Sequence, residues 1–324
     1  MGRSLRALVF LVTITAFAVA CFNVAAISGG ALSPDAGTDA NSAAGTAGDG
    51  GTGGCPDGSI ACGSACVDPN GDPQNCGACG NACAAGKTCA AAVAAPMTSK
   101  PAGWSFNGSA VFNASDASAQ LTTEGVPNQA GTVLFETPIA PEGIDVTFEF
   151  RIGEGGGARG DGMGFVLEQD GPAAYGVAGA GLGMAGLTGF GVELDVFDNV
   201  VCGDPSSNHV GVDDLATCTG GQGVPDQGGM PTSLLAANVA APLDLGDAAW
   251  HQAEITVTGG AVSLTIDQMA MFSGVKLAGI ESGPTYYVGF AGGVGYPPLA
   301  DGGPSGYRHE VRNVKVGFAT ARCL

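Results

Sequence analysis

Positive charge is what this chain most lacks. Eleven Lys and Arg stand against 30 Asp and Glu, a formal net charge of −19 over 324 residues. That balance excludes a nucleic-acid binder, which needs a basic footprint to neutralise phosphates. It also excludes charge-driven docking on an anionic membrane surface, and suits a surface that takes cations or neutral ligands. Charge of either sign is sparse, at 13% of residues, so a cluster of ionisable groups carries information. No segment offers a convincing helix-period pattern. No apolar run is long enough to span a membrane comfortably.

The one apolar run, "ALVFLVTITAFAVA", follows the basic "MGRSLR" and reads as a secretory signal over residues 1–20. The junction "AFAVAC" resembles a bacterial lipobox, which makes Cys21 the candidate lipidation site. The expected location is then the bacterial outer surface, with membrane contact only through the lipid anchor. Cleavage near Ala20 or Ala26 without lipid is the alternative, and would leave the chain secreted. Residues 21–54 read as a disordered Gly/Ala/Ser linker. Its stretch 28–54 has almost nothing to bury, and such a tether reaches roughly 30 Å.

The chain holds 11 cysteines, and export makes disulfides their default state. Seven crowd into residues 55–89 among Gly, Asn, Asp and Pro, where no hydrophobic core is possible and cross-links must supply the order. The "NCGACGNAC" portion resembles the cysteine-rich repeat of stigma-specific proteins. A zinc reading of Cys76-x-x-Cys79 is the lesser option there. Seven is odd, so Cys323 is predicted to bond back to this module. Cys202 and Cys218 are then left to pair with each other. Residues 90–100 read as a connector.

From residue 101 to 324 the pattern is all-β. "TVLFETPI", "IDVTFEFRI", "DGMGFVLEQ", "GFGVELDVF", "WHQAEITVT", "AVSLTIDQ", "TYYVGFAG" and "HEVRNVKVGF" are short runs rich in Val, Ile, Phe and Thr, punctuated by Gly, Pro, Asp and Asn. "TVTGGAVSLTI" reads as a hairpin turning at Gly259-Gly260. The expected architecture is a jelly-roll sandwich of antiparallel sheets.

Within it, "GVELDVFDNVVCGDPSSNHVGVD" concentrates chemistry over residues 191–213. On a strand, Glu193 and Asp195 share a face. Asn199 and Asp204 follow in a loop shaped by Pro205, and His209 begins the next strand. Carboxylate, amide and carbonyl oxygens suit Ca²⁺. An imidazole among carboxylates suits a transition ion such as Mn²⁺. Carboxylates clustered without a cation would repel each other.

This segment resembles the L-type, concanavalin-like legume lectins. Val192-Glu193-Leu194-Asp195, Phe197, Asn199, Asp204-Pro205 and His209-Val210-Gly211-Val212-Asp213 follow the family's V-E-(F/L)-D-T-(F/Y)-x-N, D-P and H-(I/V)-G-(I/V)-D without a gap. Upstream "GDGMGFVLEQDGP" and "GAGLGMAG", and downstream "YYVGFAGGVG" with "HEVRNVKV", resemble further family segments in the family's order. The resemblance implies that Glu193, Asp195, Asp204 and His209 hold Mn²⁺ or another transition ion. It implies that Asp195, Asp204, Asn199 and the Phe197 carbonyl hold Ca²⁺. Asp161 would be the sugar-binding aspartate, preceded by a cis peptide. Asn199, the ring of Phe197 and the backbone at Gly179, Ala180 and Gly181 would complete the carbohydrate site. Glycans are then the implied partners, and the chain is expected to be a lectin and not an enzyme. The sequence leaves the sugar unnamed, because the long segment "AGGVGYPPLADGGPSGY", with Tyr296 and Asp301, departs from the family.

Two other readings fit the same residues. "ELDVFD" resembles the E-x-D-x-x-E signature of laminarin-type endoglucanases, with Glu193 as nucleophile and Asp198 as acid. That leaves Asn199, Asp204 and His209 unexplained. A lectin fold without a working site could instead serve as a protein-binding adhesin.

Overall fold

The protein's structure, a computed structural model, describes residues 54–153, 160–198, 204–215, 234–280, 283–295 and 307–324. The predicted leader, Cys21 and most of the linker therefore lie outside the described residues, as do Asn199, Cys202, Cys218, Tyr296 and Asp301. The strands are β1 (Ile60–Cys62), β2 (Ala65–Val67), β3 (Cys89–Ala95), β4 (Trp104–Gly108), β5 (Val111–Asn113) and β6 (Ser118–Thr122). They continue with β7 (Gln129–Phe135), β8 (Ile144–Ile152), β9 (Gly162–Glu168), β10 (Gly189–Asp195), β11 (His209–Asp214) and β12 (Leu234–Ala240). The last are β13 (His251–Thr258), β14 (Ala261–Ile266), β15 (Met269–Lys276), β16 (Tyr287–Val294) and β17 (His309–Cys323).

Two antiparallel sheets face each other. One has seven strands in the order β12-β11-β10-β9-β16-β7-β4, the other eight in the order β15-β14-β13-β8-β17-β6-β5. Alternation explains which face each sheet buries. In β8, Ile144, Val146, Phe148, Phe150 and Ile152 point inward, while Asp145, Thr147, Glu149 and Arg151 are more exposed. This is the pattern of a sheet with one solvated face. Phe148 of the eight-stranded sheet meets Phe290 of the other with ring centroids 4.7 Å apart, and Phe165 lies 5.9 Å from Phe290. Each such ring contributes roughly 1.5–3 kcal/mol by burial. The predicted Gly259-Gly260 turn joins β13 to β14, with Thr258 paired to Ala261.

The seven-stranded sheet breaks the alternation. Every residue of β9 is buried. The loop after β9 folds back across the outer face and sets Leu182, Met184 and Leu187 against Leu134, Val166, Leu215 and Ala291 as a second, smaller core. The central strands of this sheet are thus covered on both sides. Polar groups placed there sit out of water.

The cysteine-rich segment carries the β1–β2 hairpin and the disulfides Cys55–Cys66, Cys62–Cys79 and Cys76–Cys89. A fourth bond, Cys83–Cys323, spans 240 residues and joins the segment to the end of β17, as the odd count required. The stretch 90–100 differs from the sequence reading. Cys89–Ala95 forms β3 and pairs along β17 from Val314 to Cys323, so the expected connector adds a strand to the sandwich. Alanine has low strand propensity, and the β17 edge supplies what "AAAVAA" lacks.

Candidate functional site

Register brings the candidate ligands to one face. In the β10–β11 pair, Asp195 lies opposite His209, Glu193 opposite Gly211, and Gly191 opposite Asp213. Directly paired residues of an antiparallel ladder point the same way. Glu193, Asp195, His209 and Asp213 therefore share the outer face of the seven-stranded sheet, while Val192, Leu194, Val210 and Val212 enter the main core. On the other side, β9 sets Gly162 opposite Asp195 and Gly164 opposite Glu193. Glycines opposite the acidic residues leave room for them and for the covering loop. A Cβ on Gly164 would come within 2.7 Å of the Val192 carbonyl and 3.0 Å of Met184 Sδ.

The donors converge. Ligand atoms of Glu193, Asp195 and His209 lie within 4.8 Å of one another. His209 Nε2 is 3.3 Å from Glu193 Oε1 and 3.6 Å from Asp204 Oδ1. His209 Nδ1 lies 2.8 Å from the Ser206 carbonyl. A carbonyl only accepts, so Nδ1 carries the proton and Nε2 turns a lone pair toward the carboxylates. Glu193 Oε1 and His209 Nε2 are both buried without a hydrogen-bond partner. Two lone pairs facing each other out of water need a positive charge between them. The donor set fits a divalent cation: carboxylate oxygens with one imidazole nitrogen, its ring already oriented by the Ser206 carbonyl.

Electrostatics agree. Burial pushes Asp195 well above the usual carboxylate range, and the charges of Glu193, Asp204 and Asp161 add to it against the Phe197 N–H, which donates to Asp195 Oδ1. Burial opposes charge on His209, but Glu193 and Asp204 outweigh it and raise its pKa. The cluster thus favours protons when no cation neutralises it.

Asp161 stands next to this cluster. Its peptide with Gly160 is cis, as the resemblance implied. Its carbonyl accepts from Val196 N–H, just beyond β10. Its carboxylate accepts from the Gly295 N–H. The one-turn 3₁₀ helix Gly179–Gly181 lies alongside: a Cβ on Gly179 would come 3.3 Å from Gly295 Cα and 4.0 Å from Asp161 Oδ2. Burial raises the Asp161 pKa to about 6, against the Gly295 hydrogen bond. Phe197 is half-buried, with a Cβ on Gly160 falling 3.7 Å from its ring. The structure therefore gathers Asp161, Gly179, Gly295, Phe197, Glu193, Asp195, Asp204 and His209 in one region.

Two residues of the matched motif were given no role by the sequence reading. Asp213 is fully buried and neither of its carboxylate oxygens has a hydrogen-bond partner. Burial and the charge of Glu193 push its pKa well up. Its signal was parity, since His209, Gly211 and Asp213 alternate along one strand. Gly211 is the second. A Cβ there would sit 2.2 Å from Glu193 Oε1, so the glycine is the floor on which that carboxylate lies. A glycine inside a strand marks such close approaches.

Comparison with known proteins agrees with this fold. Residues 99–216 match the family model of the legume lectin domain, a span running through the whole acidic cluster. No curated protein matches the chain. Among solved structures, the Lotus tetragonolobus seed lectin aligns at 18% identity with a TM-score of 0.53, over 72% of this chain and 99% of its own. The lectin from Bauhinia forficata, in complex with GalNAc, aligns at 16% identity and TM-score 0.52, over 72% and 98%. The exoplasmic/lumenal domain of VIP36, in a form bound to Ca²⁺ and Man3GlcNAc, aligns at 18% identity and TM-score 0.50, over 70% and 90%. The fold is thus the two-sheet sandwich of the legume lectins.

Proposed function

We propose that this chain is a Ca²⁺-dependent carbohydrate-binding protein. The observation that carries the reading is the buried convergence of Glu193, Asp195, Asp204 and His209 beside Asp161, in which Glu193 Oε1 and His209 Nε2 face each other without a hydrogen bond. Glu193, Asp195, Asp204 and His209 would hold a transition ion, Mn²⁺ by its donor chemistry. Asp195, Asp204, Asn199 and the Phe197 carbonyl would hold Ca²⁺. The cations neutralise the acidic cluster and stiffen the loops that present the sugar-binding groups.

Asp161, ionised in that field, accepts hydrogen bonds from sugar hydroxyls. The backbone at Gly179, Ala180 and Gly181 and the amide of Asn199 donate, and the half-buried ring of Phe197 receives the apolar face of the sugar. Rigidity present before the ligand arrives saves ordering cost on binding. Glu193 is 3% exposed, which keeps it from the nucleophile role that the endoglucanase reading requires. Lipid attachment at Cys21, with the linker as a tether, would array the sites on a bacterial surface, where clustering turns weak single-site affinity into avidity.

A glycan array probed with Ca²⁺ and Mn²⁺, then with chelator, tests the reading. The expected result is retention on a discrete set of glycans that chelation removes and Asp161→Ala abolishes. An array blank with and without cations would refute it, and would favour a protein-binding adhesin.

A further inference from the structure

Asp161 has neighbours on two sides. Phe197 and the acidic cluster lie toward β10, and the other side runs across β16 and β7 toward β4. The links on that second side are short. Gly295 N–H donates to Asp161 Oδ2, and the Gly295 carbonyl accepts from Asn128 N–H at 2.9 Å. A single residue therefore joins Asn128 to the aspartate. Asn128 has a φ of +53°, in the left-handed region that Asn tolerates, and is exposed. Further along, Gly293 of β16 pairs with Gly162 on one side and with Ala130 of β7 on the other. Gly108 ends β4 beside them. A Cβ there would overlap the Ala130 carbonyl and come 3.3 Å from Tyr175 Cδ2, so the bare backbone is the seat of the Tyr175 ring. From Gly162 to Gly108 is three strand spacings, about 14 Å, which is longer than one sugar ring.

Among the described residues, Tyr175 is the one exposed aromatic side chain, at 53%. Val126 and Val177 are exposed with it, at 45% and 42%. They lie two residues before Asn128 and Gly179, on the two loops that meet at Gly295. A ring left in water adds nothing to the core, yet the backbone that carries this one is fixed. Thr132 Oγ1 donates to the Ala174 carbonyl at 2.6 Å, and the Asn107 amide donates to the Pro172 carbonyl at 2.9 Å. Gly176 and Val177 N–H donate to the Gly183 and Ala185 carbonyls at 2.7 and 3.0 Å. An aromatic face held rigid in water suits stacking on the apolar face of a sugar, at little ordering cost.

We propose that the Asp161 site continues across β16 and β7 into a second saccharide subsite, where Tyr175 stacks on a further sugar unit and the Asn128 amide bonds hydroxyls on the way. This rests on the carbohydrate-binding reading and narrows it. The preferred ligand is an oligosaccharide laid across the strands, with one unit at Asp161 and another at Tyr175. The net charge of −19 selects an uncharged saccharide over an anionic one.

The test uses the full-length chain with Ca²⁺ and Mn²⁺, on an array of neutral mannose, glucose, galactose and N-acetylgalactosamine glycans graded from monosaccharide to tetrasaccharide. Calorimetric titration with the best-retained oligosaccharide, and with the monosaccharide of the same series, then gives an affinity ratio. The unmodified chain should prefer the oligosaccharide by about tenfold. Tyr175→Ala should cut that ratio to below about threefold, and Tyr175→Phe, which keeps the ring, should preserve it. Asn128→Gly, which deletes the amide but keeps the left-handed backbone, should lower the ratio by about threefold. The parent reading fails separately: retention by Asp161→Ala, or a blank array, would refute the carbohydrate site and the subsite with it. Retention that depends on Asp161 but shows no preference for length, or a Tyr175→Ala ratio equal to that of the unmodified chain, would overturn the subsite alone.

Discussion

Gly211→Ala isolates the geometry of the acidic cluster from its chemistry, because it removes no ligand. The added methyl would lie 2.2 Å from Glu193 Oε1, 3.0 Å from Cδ and 3.1 Å from Cγ, where ordinary contact begins near 3.4 Å. The carboxylate must therefore retreat by about 1.2 Å. Metal–ligand distances tolerate about 0.2 Å, so Glu193 is lost as a ligand. Disturbing even a supporting partner costs 10–100-fold in metal affinity. The expected loss is about 100-fold for the transition ion, equivalent to about 2.8 kcal/mol. Glu193 can swing, so the stability cost should sit at the low end of the overpacking range, about 1 kcal/mol. Gly317→Ala is the control, since its nearest neighbour, the Asp145 carbonyl, would be an unstrained 3.5 Å away. Calorimetric titration of chelated protein with Mn²⁺, with a denaturant melt in parallel, reads both quantities. Metal affinity within twofold of the unmodified chain would refute the placement of Glu193.

Asp161→Asn should abolish glycan retention while leaving cation binding nearly unchanged; Asp195→Asn should lose both, and retention by the Asp161 variant would remove that residue from the sugar site. In chelated protein the folded Asp161 pKa of about 6 exceeds its ordinary 3.8. The folded state then holds its proton longer, so stability is greatest below pH 3.8 and falls as pH rises through 6; thermal melts with chelator should show that fall, and saturating cations should remove it. His309 is the opposite case: fully buried, with its pKa lowered by burial from 6.5 to about 3. Its contribution is present above pH 6.5 and is lost as pH falls toward 3, at about 1.4 kcal/mol per pH unit. His309→Asn should flatten that limb of the melt profile, and an unaltered slope would contradict the assignment. Cys83→Ser with Cys323→Ser should lower unfolding stability by about 2–5 kcal/mol, because that bond closes a 240-residue loop; an unchanged denaturant midpoint would show that β3–β17 pairing alone docks the segment.

Most of the strands were legible because period-2 alternation is a local property, written plainly in "IDVTFEFRI" and "WHQAEITVT". Glu193 and Asp195 sharing a face follows from the same rule. The odd cysteine count in residues 55–89 was enough to call for a partner at Cys323, although parity could not say which of the seven takes it. β3 was missed because "AAAVAA" has neither alternation nor strand propensity, and becomes a strand only where β17 offers an unpaired edge.

The sequence by itself determined the β-class of the fold, the strand positions, the faces of individual strands and the chemical types gathered near residues 191–213. Those depend on neighbours one or two residues apart. Only the tertiary structure decided the register that sets Gly211 under Glu193, the loop that covers the outer face and dries the cluster, the inclusion of Asp213, and the meeting of two disulfides at the end of β17. These depend on segments tens to hundreds of residues apart, and long-range pairing is fixed by the packing of the whole sandwich, which no local pattern records.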